Sequence, residues 1–235
     1  MKKYDSVIQY YQQNATRIRD DAERIADEAY TPKLLKLHKT YDEGSNEFRL
    51  YSHPFRTIRG ELLALRLHFI FLEIYLIRSE WWDQTHKRVP TSLQINHMIE
   101  SLDTNIKRGF LIGVFAVQEH SLRHYIRKIE GEDSDLSKKA YWKIKKYFFD
   151  NISFSNEELY NSALRLFSAI RNTIHNDGIY YPPDNSELEI NYRGEDFKFI
   201  PGEPITFVEW ELLLKITEDL ADFIFEIVQS DLMDN

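Results

Sequence analysis

Ile8, Tyr11, Ala15, Ile18, Ala22, Ile25 and Ala29 recur at alternating intervals of three and four residues. Only an α-helix brings positions so spaced onto one line, so this stretch is committed to a helix with a narrow apolar seam. Its small side chains suit close packing on a neighbouring helix better than a free-standing coiled coil. Thr31-Pro32 is expected to end it, because proline cannot continue the hydrogen-bond ladder.

Helical patterns dominate the rest of the chain. A loop is expected at Asp42-Glu43-Gly44-Ser45-Asn46 and His53-Pro54, then a helix from about Thr57 to Trp82 and a break at Val89-Pro90. Thr91-Ser92-Leu93-Gln94 has the form of a capping box, in which side chain and backbone at a helix start satisfy each other. The spacing predicts a main helix from about Thr104 to Glu130, stopped by Gly131, and a shorter one over about Leu136 to Phe149. Ser155-Asn156-Glu157-Glu158 reads as a second capping box. It opens a helix with Leu159, Ala163, Leu166, Phe167, Ile170 and Ile174 on one stripe, and Asn176-Asp177-Gly178 closes it. Leu188, Ile190, Tyr192, Phe197 and Phe199 alternate around Arg193-Gly194-Glu195-Asp196, the signature of a β-hairpin. Thr206-Phe207-Val208-Glu209 reads as a third box before a last helix that faces Trp210, Leu213, Leu214, Leu220, Phe223, Ile224 and Ile227 inward. The fold class is therefore mainly α, a helical bundle with one β-hairpin before the last helix. Residues 1–100 form an N-terminal helical region packed on a bundle of residues 101–235. No Gly/Ser linker separates them, and Trp81-Trp82 is the expected anchor between the halves.

Composition narrows the function classes. The chain has no cysteine, which excludes disulfides, thiolate metal sites and a Cys nucleophile. With 15 Phe, 14 Tyr and 4 Trp it can fill a sizeable core. Arg66, His68 and Glu73 interrupt its most apolar stretch, Leu62 to Ile77, so a buried helix is expected there and no membrane span. Met1-Lys2-Lys3-Tyr4-Asp5 lacks the form of a signal peptide, and a cytoplasmic location is expected. The net charge of −8 argues against indiscriminate coating of nucleic acid. Charge is uneven, however: Thr104 to Phe149 holds 10 Lys and Arg against 5 Asp and Glu. No Walker loop, dinucleotide fingerprint, zincin motif or serine-hydrolase elbow is present.

The segment most able to carry chemistry is Ala169-Ile170-Arg171-Asn172-Thr173-Ile174-His175-Asn176-Asp177-Gly178. On a helix begun near Ser155, Arg171 falls about 90° and His175 about 130° from the centre of the apolar stripe. The two are four residues apart and so are neighbours on one outer flank, with Tyr160 and Leu164 placed on the same side. Attack of a ribose 2′-hydroxyl on the adjacent phosphate needs a base near neutral pH, a role for His. It also needs a cation for the phosphoryl oxygens, a role for the planar fork of Arg. Asn172 could orient either by hydrogen bonds. The same residues have a structural reading: a His in the last helical turn bonds free carbonyls and favours the helix dipole, and an Arg pairs with a surface carboxylate.

The order of a long helix, a shorter helix, a helix ending in Arg-Asn-x-x-His-Asn-x-Gly, a β-hairpin and a last helix resembles the HEPN superfamily over about residues 100–235. The resemblance implies a bundle in which two subunits join their motifs in a shared cleft, many members being metal-independent endoribonucleases of defence or toxin–antitoxin systems. Carried over, Arg171, Asn172 and His175 would be catalytic. Apart from the resemblance, Glu119, at the edge of its helix's apolar stripe, and Asn176, beside His175, are candidate supporting residues. Only three residues separate Arg171 from His175, and the family's interval is longer. That shortening keeps open an alternative, a non-catalytic RNA- or partner-binding module of the same fold. A homodimer, an RNA substrate and an antitoxin or regulatory protein are the implied partners; no cofactor and no metal are implied.

Weaker signals accompany the motif. Lys138, Lys139, Lys143 and Lys146 are interleaved with Tyr141, Trp142 and Tyr147, a mixture that suits an RNA contact. His120 and His124 are four apart, but no third clear ligand is near in sequence, so no metal site is expected.

Overall fold

The computed structural model describes residues 7–85 and 90–233. The Met1 to Asp5 segment and Val89 of the Val89-Pro90 break lie outside the described residues. The architecture is mainly helical, with one two-stranded antiparallel hairpin before the last helix. Helix α1 spans Val7–Arg24 and passes through a π-helical turn, Ile25–Tyr30, into α2, Thr31–Thr40. Helix α3 is Asn46–Phe71 and ends in a second π turn, Leu72–Leu76, before the short α4, Ser79–Thr85. Helix α5, Ser92–Glu130, is followed by α6, Tyr141–Asn151, and α7, Glu157–Ile174. Strands β1, Leu188–Tyr192, and β2, Glu195–Phe199, precede α8, Trp210–Val228. Among the described residues no helix is long and apolar enough to cross a membrane.

The N-terminal seam is buried along Tyr11, Ala15, Ile18, Ala22, Ile25 and Ala29, but Thr31-Pro32 does not end the helical run. Pro32 cannot donate to the carbonyl four residues back, and its ring crowds that carbonyl. The preceding turn widens instead, and the Thr31 N–H bonds to the Ala26 carbonyl five residues earlier. His53-Pro54 likewise lies inside α3, whose start is capped by Ser45 accepting from the Phe48 N–H at 3.0 Å. Burial of Tyr51, Pro54, Phe55 and Ile58 outweighs proline's poor helix propensity there.

The Thr91–Gln94 capping box forms, and the helix it opens runs without interruption to Glu130. The position at residue 100 where the sequence divides into two regions falls within α5. A single buried core takes side chains from both sides of it, from Tyr11 and Phe55 to Phe167 and Trp210. The other two boxes do not form. Ser155 turns to α8: its N–H donates to Glu226 Oε2 at 2.8 Å and its hydroxyl to Glu226 Oε1. Helix α8 starts at Trp210, and the Glu209 side chain makes no capping bond.

Strand register pairs Leu188 with Phe199 and Tyr192 with Glu195. Arg193 and Gly194 form the turn with φ of 52° and 81°, positive values that suit the twist of a two-residue hairpin. Ile190, Tyr192, Phe197 and Phe199 are buried on one face. At the turn Tyr192 donates to Asp219 Oδ2 at 2.6 Å and Arg193 Nη2 to Asp219 Oδ1 at 2.5 Å, tying the hairpin to α8.

Asp103 joins α1, α5 and α8. It accepts from Trp210 Nε1 at 2.8 Å and from the Tyr11 hydroxyl, and it pairs with Lys107 at 3.1 Å. Asp103→Ala should lower stability by about 1–3 kcal/mol, because a buried indole N–H and a buried hydroxyl lose their acceptor. The denaturant midpoint should drop while a single transition is kept.

Burial is the first cause that raises the hydroxyls of Tyr11, Tyr30, Tyr125 and Tyr192 above their ordinary value of 10.0. The folded chain holds these protons where the unfolded chain releases them. Stability is therefore whole below pH 10 and is lost above it, at about 1.4 kcal/mol per pH unit for each such Tyr. In an alkaline titration the part of the tyrosinate absorbance that belongs to these four should rise together with unfolding, and not ahead of it.

Candidate functional site

The last turn of α7 brings together Arg171, Asn172, His175 and Asn176. Arg171 is half-buried and the other three are exposed. The Arg171 guanidinium lies 4.9 Å from the centre of the Phe115 ring on α5, and its Nη1 donates to Asn172 Oδ1 at 3.0 Å. The ring face favours a cation and also fixes the plane of the fork. His175 sits just past the helix, and its N–H bonds to the Arg171 carbonyl at 3.3 Å. Asn176 Nδ2 donates to the Asn172 carbonyl at 3.3 Å, so this side chain satisfies a free carbonyl at the helix end.

The chain leaves this turn through two left-handed residues, Asp177 with φ 54° and Gly178 with φ 85°. Gly178 donates back to the Thr173 carbonyl at 3.0 Å. Beyond it, the Ile205 N–H bonds to the Gly178 carbonyl and the Tyr180 N–H to the Glu203 carbonyl. The strand-like pairing of Ile179 with Pro204 thus ties the exit from the site to the approach to α8.

Tyr160 and Leu164 are not on the outward flank that the sequence suggests. They are 3% and 1% exposed. Phe154 and Phe223 close on the Tyr160 ring, its hydroxyl reaches Glu226 at 2.8 Å, and β1 packs against α7. The apolar face of α7 is wider than its 3–4 stripe because linker and hairpin supply neighbours that periodicity cannot show. The flank is satisfied within one chain.

Glu119 lies on α5, one helical turn beyond Phe115. It pairs with Arg123 one turn on, at 2.5 Å, and among the described residues no contact joins it to Arg171 or His175. Arg123 also donates to the carbonyls of Ser137 at 2.6 Å and Lys139 at 2.9 Å, which holds the turn before α6 against α5. That turn carries Lys138 and Lys139; these, Lys143 and Lys146 are all exposed. Lys138 is 3.9 Å from Asp135 and Lys146 2.8 Å from Asp150, while Lys143 lies 5.3 Å from the Trp142 ring.

Phe115 connects the two groups. Its ring lies 5.0 Å from Tyr141 at the start of α6, 5.6 Å from Phe167 and beneath Arg171. The basic start of α6 and the motif end of α7 therefore share one aromatic support. Phe115 and Arg123 are structural supports of the candidate site that the sequence reading missed. The signal for Arg123 was its place four residues after Glu119, the spacing of a helical ion pair.

Lys145, packed between α6 and α7, donates to Asn161 Oδ1 at 2.9 Å. Burial, then the nearby Arg165, brings its ammonium down to about 8. Among the described residues no group of three or more His, Asp or Glu side chains is arranged to hold a metal ion. No family model, curated protein or solved structure matches the chain.

Arg123→Ala removes the donor for two carbonyls and leaves Glu119 unpaired. It should cost about 1–3 kcal/mol. Hydrogen exchange at residues 134–140 should speed up while α7 keeps its protection.

Proposed function

We propose that the chain is a metal-independent endoribonuclease of HEPN type, active as a homodimer and serving as a defence effector or toxin. One observation carries the reading. A conformationally held guanidinium and an exposed imidazole stand one turn apart at the solvent-facing end of α7, across one aromatic ring from a lysine-rich turn.

In this reading the Lys138–Lys143 turn attracts the phosphate backbone, and Arg171 meets the non-bridging oxygens of one phosphate. His175 removes the 2′-hydroxyl proton. The 2′-oxygen bonds to phosphorus, the bond to the 5′-oxygen breaks, and the leaving oxygen takes up a proton. Each protomer offers one His in its motif, so the acid is the partner subunit's His175 across a two-fold axis. The products are a 2′,3′-cyclic phosphate and a free 5′-hydroxyl, with no redox change and no metal. An antitoxin or regulatory protein would act by covering this end of α7.

A second reading, a non-catalytic RNA-binding module, is favoured by the bond that already engages Arg171 with Asn172 and by the short interval to His175.

The purified chain should cleave total RNA in EDTA. His175→Ala should abolish cleavage with the dimer intact by sedimentation, and Arg171→Ala should slow it by about a hundredfold, a few kcal/mol of transition-state stabilisation. Activity that survives His175→Ala, or a monomer at micromolar concentration, defeats the mechanism. A dimer that binds RNA without cutting it establishes the second reading.

A further inference from the structure

A second cluster of cations lies elsewhere on α5, on the face turned towards α3. On α3, Arg49, His53 and Arg56 fall at successive helical turns, spaced four and three residues apart. On α5, His120, His124 and Arg127 repeat the same spacing. Residues so spaced form one row on each helix. The two helices run antiparallel: Tyr51 meets Tyr125 at 6.1 Å, and further along Glu61 meets Gly113. The rows therefore face each other over about 10 Å, seven residues of helix rise. His53 is 5.9 Å from His120, whose ring lies 4.2 Å from that of His124. Arg49, His53, Arg56 and Thr57 line an open groove at this point.

The arrangement concentrates positive charge. Arg49 and Arg56 pair with no described carboxylate, although acidic residues outnumber basic ones in the whole chain, 38 to 30, and Arg127 donates to the Ser137 hydroxyl at 3.4 Å. The imidazoles of His53 and His124 are held below their ordinary value, first by burial and then by the surrounding cations. His53 faces His120 and Arg56; His124 faces His120, Arg127 and His53, with Glu132 as the one opposing carboxylate. Cations collected against mutual repulsion, without anions of their own, have the form of a receptor for an anion from solution.

We propose that the groove lined by Arg49, His53 and Arg56 of α3, with His120 of α5 beside it, is a binding site for a compact anion with two or more linked phosphoryl groups. Guanidinium forks match phosphoryl oxygens in geometry, and imidazolium donates to the same oxygens. Length and ends define the ligand's size. The rows stop after two helical turns, with Glu61 against Gly113 at one end and Glu132 near His124 at the other. Those carboxylates would repel a polymer that continued through the groove, so a short oligophosphate fits better than an RNA strand. Binding of an anion favours the protonated forms of His53 and His124, which the surrounding cations oppose. Affinity therefore rises as pH falls through the histidine range, and binding takes up protons.

Inorganic tripolyphosphate is the probe, with inorganic phosphate and a single-stranded RNA oligomer as comparisons, titrated calorimetrically into the full chain. Saturable binding of tripolyphosphate is expected, tighter at pH 6 than at pH 8, with proton uptake seen as a dependence on buffer ionisation heat. The double variant Arg49→Gln/Arg56→Gln should weaken it by about tenfold or more. His53→Asn should reduce the pH dependence, and Lys198→Gln on the hairpin should leave binding unchanged. Arg49, His53 and Arg56 are exposed, so these variants should keep the wild-type circular dichroism spectrum. Failure to bind tripolyphosphate, equal affinity for inorganic phosphate, binding of RNA alone, or binding indifferent to Arg49 and Arg56 would each overturn the site. None of these outcomes depends on whether the chain cleaves RNA.

Discussion

The carboxylate of Asp103 holds together parts of the chain that are far apart in sequence. It takes hydrogen bonds from Tyr11 near the start and Trp210 near the end, and Lys107 balances its charge. The Trp210 ring is then wedged edge-on between Phe69 and Phe110. With that end fixed, α8 distributes polar tethers along its length. The Thr217 carbonyl accepts from the buried Tyr30 hydroxyl, Asp219 receives Tyr192 and Arg193, and Glu226 receives Ser155 and Tyr160. The first helices, the hairpin and the start of α7 are thus all referred to one buried helix. Each tether satisfies a polar group that would otherwise destabilise the core by being desolvated alone.

Helix α7 is therefore fixed at both ends before its motif is considered. Glu226 holds its first turn, and the pairing of residues 178–180 with 202–205 holds its exit. Between them, Phe115 supports Arg171 from below. This matters for a site that uses a guanidinium fork, because a planar group recognises planar oxygen pairs only when its own plane is set in advance. His175 lies beyond the rigid helix yet only one turn from Arg171, so it keeps freedom to rotate without leaving the site.

Much of the fold was legible from periodicity. The 3–4 seam of α1, the stripe of α7, the alternating hairpin and the Thr91–Gln94 cap stand where the residues place them. The errors share a cause. Pro32 and Pro54 read locally as helix ends, but a π turn accommodates the first and core burial retains the second. Ser155 read as a cap, but a carboxylate on α8 competes successfully for it. Tyr160 and Leu164 read as outward because a stripe drawn on one helix has no knowledge of what the hairpin and the α6–α7 linker cover. In the candidate site, Arg171, Asn172 and His175 belong to one short segment and are visible together in the sequence. Phe115 and the facing cation rows of α3 and α5 depend on which helices become neighbours, and that is set by tertiary packing.

The π turn at Ile25–Tyr30 acts as a phase shifter. A wide turn holds one residue more than an α-helical turn, so everything beyond it is rotated by about 100° relative to an unbroken helix. In that rotated frame Leu37 enters the core, Lys33 reaches Asp222 at 2.8 Å, and Lys36 lies 5.0 Å from the Phe225 ring. The chain therefore needs its extra residue there. A one-residue deletion between Ile25 and Tyr30 would make a more regular helix and a worse protein: α2 would turn its apolar edge to water and carry its lysines off α8. Length at this point is as much a part of the fold's specification as the identity of any side chain.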